Sequence, residues 1–197
     1  MRVYLYRHGQ TAGNAKGQYI GRTDEPLSKE GLADVQACTV RPGIGKVYVS
    51  PLLRARETAR LLFPNAAQCV RDGLREMDFG AFEQKNYRDL ENDAAYRAWV
   101  ESGCTLPCPG GEDMAAFGAR VCACFEDIVR EAEENGEDEV HIVAHGGTIM
   151  AVFSGFVKDG ARDYYAWGVK NLAGRSAEAV RTDTGALRLC DTEEIRL

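Results

Sequence analysis

Val140-His141-Ile142-Val143-Ala144 is an almost unbroken apolar run that stops at His145-Gly146-Gly147, after which Thr148 to Phe156 read as a glycine-led helix. A strand with one wet face alternates apolar and polar residues, so a continuous apolar run belongs at the centre of a parallel sheet covered on both sides. Val3-Tyr4-Leu5-Tyr6 and Lys46-Val47-Tyr48-Val49 are two further short β-rich runs. Helical patterns fall between them. Ser28 caps one, with Glu30 and Gly31 in its first turn and Leu32, Val35 and Gln36 following. Ser50-Pro51 leads into another, which passes through Leu53, Thr58, Ala59 and Leu62 and stops before Pro64. Pro109-Gly110-Gly111-Glu112 opens a long amphipathic helix with Phe117, Val121, Phe125, Ile128 and Val129 at helical spacing, ending near Asn135-Gly136. Residues 177–189 read as a hairpin around Asp183-Thr184-Gly185. The alternation predicts an α/β fold, a three-layer sandwich whose mainly parallel central sheet is flanked by helices on both faces. Residues 1–197 are expected to form one domain with a helical excursion at about 78–109.

Composition bounds the function. The 197 residues are 45% hydrophobic and 27% charged, as in a globular domain, and the net charge of −6 argues against a nucleic-acid or anionic-membrane surface. No apolar stretch reaches transmembrane length, and a functional histidine at position 8 leaves no room for a removable leader, so a cytoplasmic location is expected. The oligomeric state expected is a monomer or homodimer. Seven scattered cysteines form neither a disulfide framework nor a zinc ribbon and read as reduced thiols. Cys104 and Cys108 flank a Pro-containing loop, but no ligand pair partners them, so neither a metal nor a cofactor is expected.

The chemistry is concentrated in two of the three histidines. Arg7-His8-Gly9-Gln10-Thr11 ends the first apolar run as His145-Gly146-Gly147 ends the central one. An imidazole beside a guanidinium, with glycine letting the backbone approach a ligand, suits an enzyme that takes a phosphoryl group onto nitrogen. In a parallel sheet, ligands bind outside the carboxyl ends of the strands, and His8, Ser50 and His145 each fall at such an end. His141, entering a buried strand, reads as structural. The loop from Gly9 to Pro26 is long for a compact domain and is expected to be functional.

Arg7-His8-Gly9-x-Thr11-x-x-Asn14, Ser50-Pro51-Leu52-x-Arg54-Ala55-x-x-Thr58-Ala59, Glu76-x-x-Phe79-Gly80, Pro109-Gly110-Gly111-Glu112 and His145-Gly146-Gly147 together resemble the histidine phosphatase superfamily, in its phosphoglycerate-mutase-like branch. The resemblance implies that His8 is the nucleophile and Glu76 the proton donor. It places Arg7, Asn14, Arg54, His145 and Gly146 around the phosphate and Gly21 in a loop that closes on the substrate. Fixed positive charge suits a phosphoryl transition state, and a protonated His145 would add a third cation. His8 must be neutral to attack, a state its arginine neighbours favour, with its other ring nitrogen donating to a backbone carbonyl.

Two positions depart from the pattern. Gln84 stands where glycine is common in the family, and Met150 where many relatives have an arginine. With the short segment between Gly80 and Pro109, the missing arginine favours a phosphatase acting on a small phosphorylated metabolite over a phosphoglycerate mutase. The intact residue set argues against a non-catalytic phospho-ligand-binding module. Asp163-Tyr164-Tyr165-Ala166-Trp167-Gly168-Val169-Lys170-Asn171 is similar to the corresponding segment of α-ribazole phosphatases. Its aromatic residues either stack on a flat ring or anchor the last helix.

Overall fold

The computed structural model describes residues 1–158 and 163–197. Six strands, β1 (Arg2–Arg7), β2 (Lys46–Val49), β3 (Ala67–Val70), β4 (Glu139–Ala144), β5 (Ala173–Arg181) and β6 (Leu187–Arg196), form one sheet in the order β3-β2-β4-β1-β5-β6. β3, β2, β4 and β1 are mutually parallel, β5 is antiparallel to β1, and β6 is antiparallel to β5. The helices are α1 (Ala12–Ala15), α2 (Lys29–Ala37), α3 (Leu53–Leu62), α4 (Ala94–Glu101), α5 (Met114–Glu134) and α6 (Gly146–Phe156).

Successive side chains of a strand point to opposite faces, so each strand serves two cores. Val3 and Leu5 of β1, Tyr48 of β2 and Val140, Ile142 and Ala144 of β4 pack with α5 and α6. Phe117, Val121, Phe125, Ile128 and Val129 of α5 are buried there, as their spacing predicts. Tyr6, Val47, Val49 and Val143 face the other way, against Val35 of α2 and Ala55, Ala59 and Leu62 of α3. The expected three-layer sandwich is therefore present. His141 lies in the second layer, its Nδ1 3.1 Å from the Tyr6 hydroxyl and its ring stacked on Tyr4, which is a structural role.

Three details differ from the sequence reading. β3 was not expected: its residues Ala67, Gln68, Cys69 and Val70 are exposed or half-buried, so an edge strand leaves no apolar pattern to read. The excursion at 78–109 contains only one α-helix, α4, with a 3-10 turn at Gly80–Phe82, and it buries Phe82, Leu90, Tyr96 and Trp99 onto the α5 side of the sheet. The long helix starts at Met114 rather than at the Pro109-Gly110 turn, because Asp113 caps it by accepting from the Ala116 amide at 2.7 Å.

Candidate active site

Parallel pairing brings three chain crossings to one end of the sheet. The His8 amide donates to the Ala144 carbonyl and the Ser50 amide to the Val143 carbonyl, both at 3.1 Å, so the ladder runs one residue past the strands. The His8 and His145 rings are 5.1 Å apart, edge to face. His8 Nδ1 lies 2.7 Å from the Gly9 carbonyl, which can only accept; Nδ1 therefore carries the hydrogen, and Nε2 holds the lone pair of the neutral ring. The tautomer is the one the sequence required. Burial, then Arg54 and Arg7, hold the His8 pKa well below the ordinary histidine value, so the ring is neutral at physiological pH.

The two arginines come from different elements. Arg7 closes β1 and donates Nη1 to the Val169 carbonyl at 2.8 Å. Arg54, in the first turn of α3, is completely buried. It donates Nη1 to the Thr23 carbonyl at 2.8 Å and Nη2 to the Gly21 and Ile20 carbonyls at 2.9 and 3.2 Å. In each guanidinium the buried Nε–H has no protein partner. His145 Nδ1 is likewise buried and unpartnered, while its Nε2 lies 2.7 Å from Ser50 Oγ. Ser50 Oγ also accepts from the Leu52 amide at 3.4 Å, which leaves its hydroxyl hydrogen and a second lone pair open to His145, so Nδ1 is a donor in one ring tautomer and an acceptor in the other. Unsatisfied buried donors are costly and rare, and the two guanidinium Nε–H groups beside His8 are donors that a bound anion can satisfy.

The expected positive charge on His145 is not found. Burial first, then Arg54, His8 and Arg7, push its pKa well below the histidine value, so the His145 ring is neutral. Burial raises the Glu76 carboxyl pKa against the opposing pull of the Gly147 and Met77 amides and of Arg54 and Arg7. Those amides donate to Oε2 and Oε1 at 2.9 and 3.0 Å. A Cβ at residue 147 would lie 2.2 Å from Glu76 Oε1, so the second glycine of the His-Gly-Gly block makes room for this carboxyl.

The remaining expected residues divide. Asn14 lines the adjoining cavity; its Oδ1 accepts from the Thr11 amide at 3.3 Å and from Asn171 Nδ2 at 3.3 Å, which turns its amide nitrogen over to the cavity. Gly146 also lines the cavity, beside the Arg7 guanidinium. Gly21 lies behind Arg54 instead: a Cβ there would sit 1.8 Å from the Met77 carbonyl, its amide donates to Glu83 and its carbonyl accepts from Arg54. Sequence reasoning assigned no role to Asn171 or Glu83, and read Tyr164 only as a stacking or anchoring aromatic. Asn171 also donates to the His8 carbonyl at 2.9 Å, and the Tyr164 hydroxyl donates to the Gly147 carbonyl at 3.2 Å. Thr58 ties the helix to the first strand, accepting from the Gly9 amide at 3.0 Å and donating to the Arg54 carbonyl.

A cavity of about 380 Å³ opens from Arg7, Asn14, Glu76 and Gly146. Its walls are mostly apolar: Tyr19, Ile20 and Phe79 from the loops, Trp99 from α4, Phe117 from α5, Met150 from α6, and Tyr164 and Tyr165. Among these lining residues Arg7 and Glu76 are the only charged groups. Of the aromatic trio in the tail, Tyr164 and Tyr165 face this cavity, whereas Trp167 is buried against Phe153 as an anchor of the core.

The chain matches known proteins over most of its length. Residues 3–191 match the family described as the Histidine phosphatase superfamily (branch 1). The chain is 32% identical to the Adenosylcobalamin/alpha-ribazole phosphatase of Escherichia coli K12 over 161 residues, 78% of each protein. It is 31% identical to the 2,3-bisphosphoglycerate-dependent phosphoglycerate mutase of Rhizobium etli over 166 residues, again 78% of each. Among solved structures, the alpha-ribazole phosphatase from Shigella flexneri superposes with a TM-score of 0.76 at 26% identity, covering 97% of this chain and 96% of that one. The chain belongs to the histidine phosphatase superfamily. Within it, it is similar to enzymes named as phosphatases, and phosphoglycerate mutases are relatives as well. Among the described residues, no helix is long and apolar enough to cross a membrane.

Proposed function

We propose that the protein hydrolyses the phosphate monoester of a small metabolite through a phosphohistidine at His8. The observation that carries this reading is the pair of buried, unpartnered guanidinium donors, Arg7 Nε and Arg54 Nε, beside a neutral His8; in this reading the unpartnered His145 Nδ1 carries its ring hydrogen and is the third donor. The dianionic phosphoryl group takes those donors, and its developing charge meets groups already in place. The lone pair of His8 Nε2 attacks phosphorus as the ester P–O bond breaks. Glu76, whose carboxyl pKa is raised by burial, acts in its protonated form, giving its proton to the leaving alkoxide oxygen and becoming a carboxylate. After the alcohol leaves, water attacks the phosphohistidine and passes a proton back to Glu76. The N–P bond breaks with its electron pair returning to Nε2, and inorganic phosphate departs.

The substrate proposed is α-ribazole 5′-phosphate. Support comes from the relatives named alpha-ribazole phosphatase and from the cavity, whose apolar and aromatic walls suit a flat, uncharged group and, among the described residues, carry no cation beyond Arg7. A relative is named a phosphoserine phosphatase and others phosphoglycerate mutases, but those ligands bring a carboxylate for which these walls hold no counter-ion. The test is a panel of phosphorylated metabolites that includes α-ribazole 5′-phosphate, O-phosphoserine and 3-phosphoglycerate, assayed for released phosphate. The highest kcat/KM is expected for α-ribazole 5′-phosphate. A clear preference for either carboxylate-bearing ester would overturn the substrate assignment, and no hydrolysis of any monoester would overturn the phosphatase reading.

A further inference from the structure

Glu83 makes the densest set of side-chain contacts near the centre, although it does not line the cavity. Its carboxylate accepts from five donors. The Gly21 amide donates to both oxygens at 3.0 and 3.2 Å, the Arg22 amide at 3.0 Å, the Thr23 amide at 3.3 Å and the Thr23 hydroxyl at 2.6 Å. The fifth donor is the Phe79 amide at 3.1 Å. The opposite, carbonyl side of the same loop is held by Arg54, through Ile20, Gly21 and Thr23.

The loop at 20–23 is thus clamped between an anion on its amide side and a cation on its carbonyl side, an arrangement in which each set of hydrogen bonds polarises the peptides for the other. Arg54 spends both terminal nitrogens on this loop, so the loop decides where its unpartnered Nε–H points. Glu83 also holds the turn that carries Glu76, through Phe79 N, and the Met77 carbonyl packs on Gly21. One carboxylate therefore fixes the spacing between the guanidinium that holds the phosphoryl group and the acid that protonates its leaving oxygen.

We infer that Glu83 is a positioning residue for phosphoryl transfer, acting through the 20–23 loop on Arg54. The inference rests on the phosphatase reading of the site, but it is testable without turnover. Orthovanadate, which takes up the five-coordinate geometry of a phosphoryl group in flight, reads the placement of Arg54 directly by calorimetry. Glu83→Ala is expected to weaken vanadate by about 10²-fold, the scale of a misplacement of about 1 Å, and to lower kcat on p-nitrophenyl phosphate in parallel. Glu83→Gln keeps one acceptor oxygen and should lose less, about tenfold. In the double variant Arg54→Ala/Glu83→Ala, vanadate should bind no more weakly than to Arg54→Ala alone, because Glu83 then has nothing to place. A purely structural role predicts losses that add. Vanadate affinity within twofold of the native value in Glu83→Gln, or additive losses in the double variant, would overturn the inference. Should Glu83→Ala not fold, Glu83→Gln and its own combination with Arg54→Ala decide the matter. Native protein that binds vanadate but hydrolyses no monoester counts against the phosphatase reading and leaves the clamp to be judged by binding alone.

Discussion

Glu76 is a carboxyl that must be neutral when a bond breaks, and its burial raises its pKa in that direction. If it protonates the leaving oxygen, Glu76→Gln should cost at least about 10²-fold in kcat with an alkyl phosphate and much less with an aryl phosphate, whose leaving group needs little help. Equal losses on the two substrates would move the acid elsewhere. Gln84 makes a separate point about side chains and backbone. Its φ of 61° lies in the left-handed region, which explains why glycine is common there in the family. Gln84→Gly should raise stability by about 1 kcal/mol in denaturant unfolding, with kcat unchanged. His8, Glu76 and Arg54 were legible in the sequence because their neighbours form contiguous motifs. Glu83, Asn171 and Tyr164 were not, because their partners are backbone atoms 62, 163 and 17 positions away, and a main-chain partner leaves no residue-type signal.

Among the elements, those with apolar periodicity were legible as elements, though not always at their ends. β4 is buried on both faces and α5 keeps one apolar stripe for 21 residues, so each advertises its place. β3 and the turns of the excursion advertise nothing, since a four-residue edge strand is ordered by its pairing with β2 rather than by its own composition. The start of α5 depends on its cap. Asp113→Ala removes the acceptor of the Ala116 amide and should cost about 1 kcal/mol, measured as a lowered denaturation midpoint at unchanged slope. No change would mean that the Pro109–Glu112 turn, held by the Glu112 amide on the Asp78 carbonyl, stops the helix unaided.

For the molecule as a whole, the sheet order matters because it places β1, β2 and β4 side by side, so their carboxyl ends deliver His8, Ser50 and His145 to one point. That much followed from the alternation of strands and helices; the neutrality of His145 did not, because burial is a property of the assembled layers. The pH profile should carry the same signature. The reactive His8 is the neutral form and its pKa is lowered, so the acid limb of kcat/KM should lie well below pH 6.5. The reactive Glu76 is the protonated form and its pKa is raised, so the enzymic alkaline limb lies above the ordinary carboxyl range and should vanish in Glu76→Gln. The central claim is that the phosphoryl group passes through His8, and rapid-quench labelling tests it most directly. Protein mixed with ³²P-labelled substrate and quenched within the first turnover should carry acid-labile, base-stable label that maps to His8 and is absent from His8→Ala. Full turnover by His8→Ala, or a first turnover that releases phosphate with no label ever on the protein, would contradict the account.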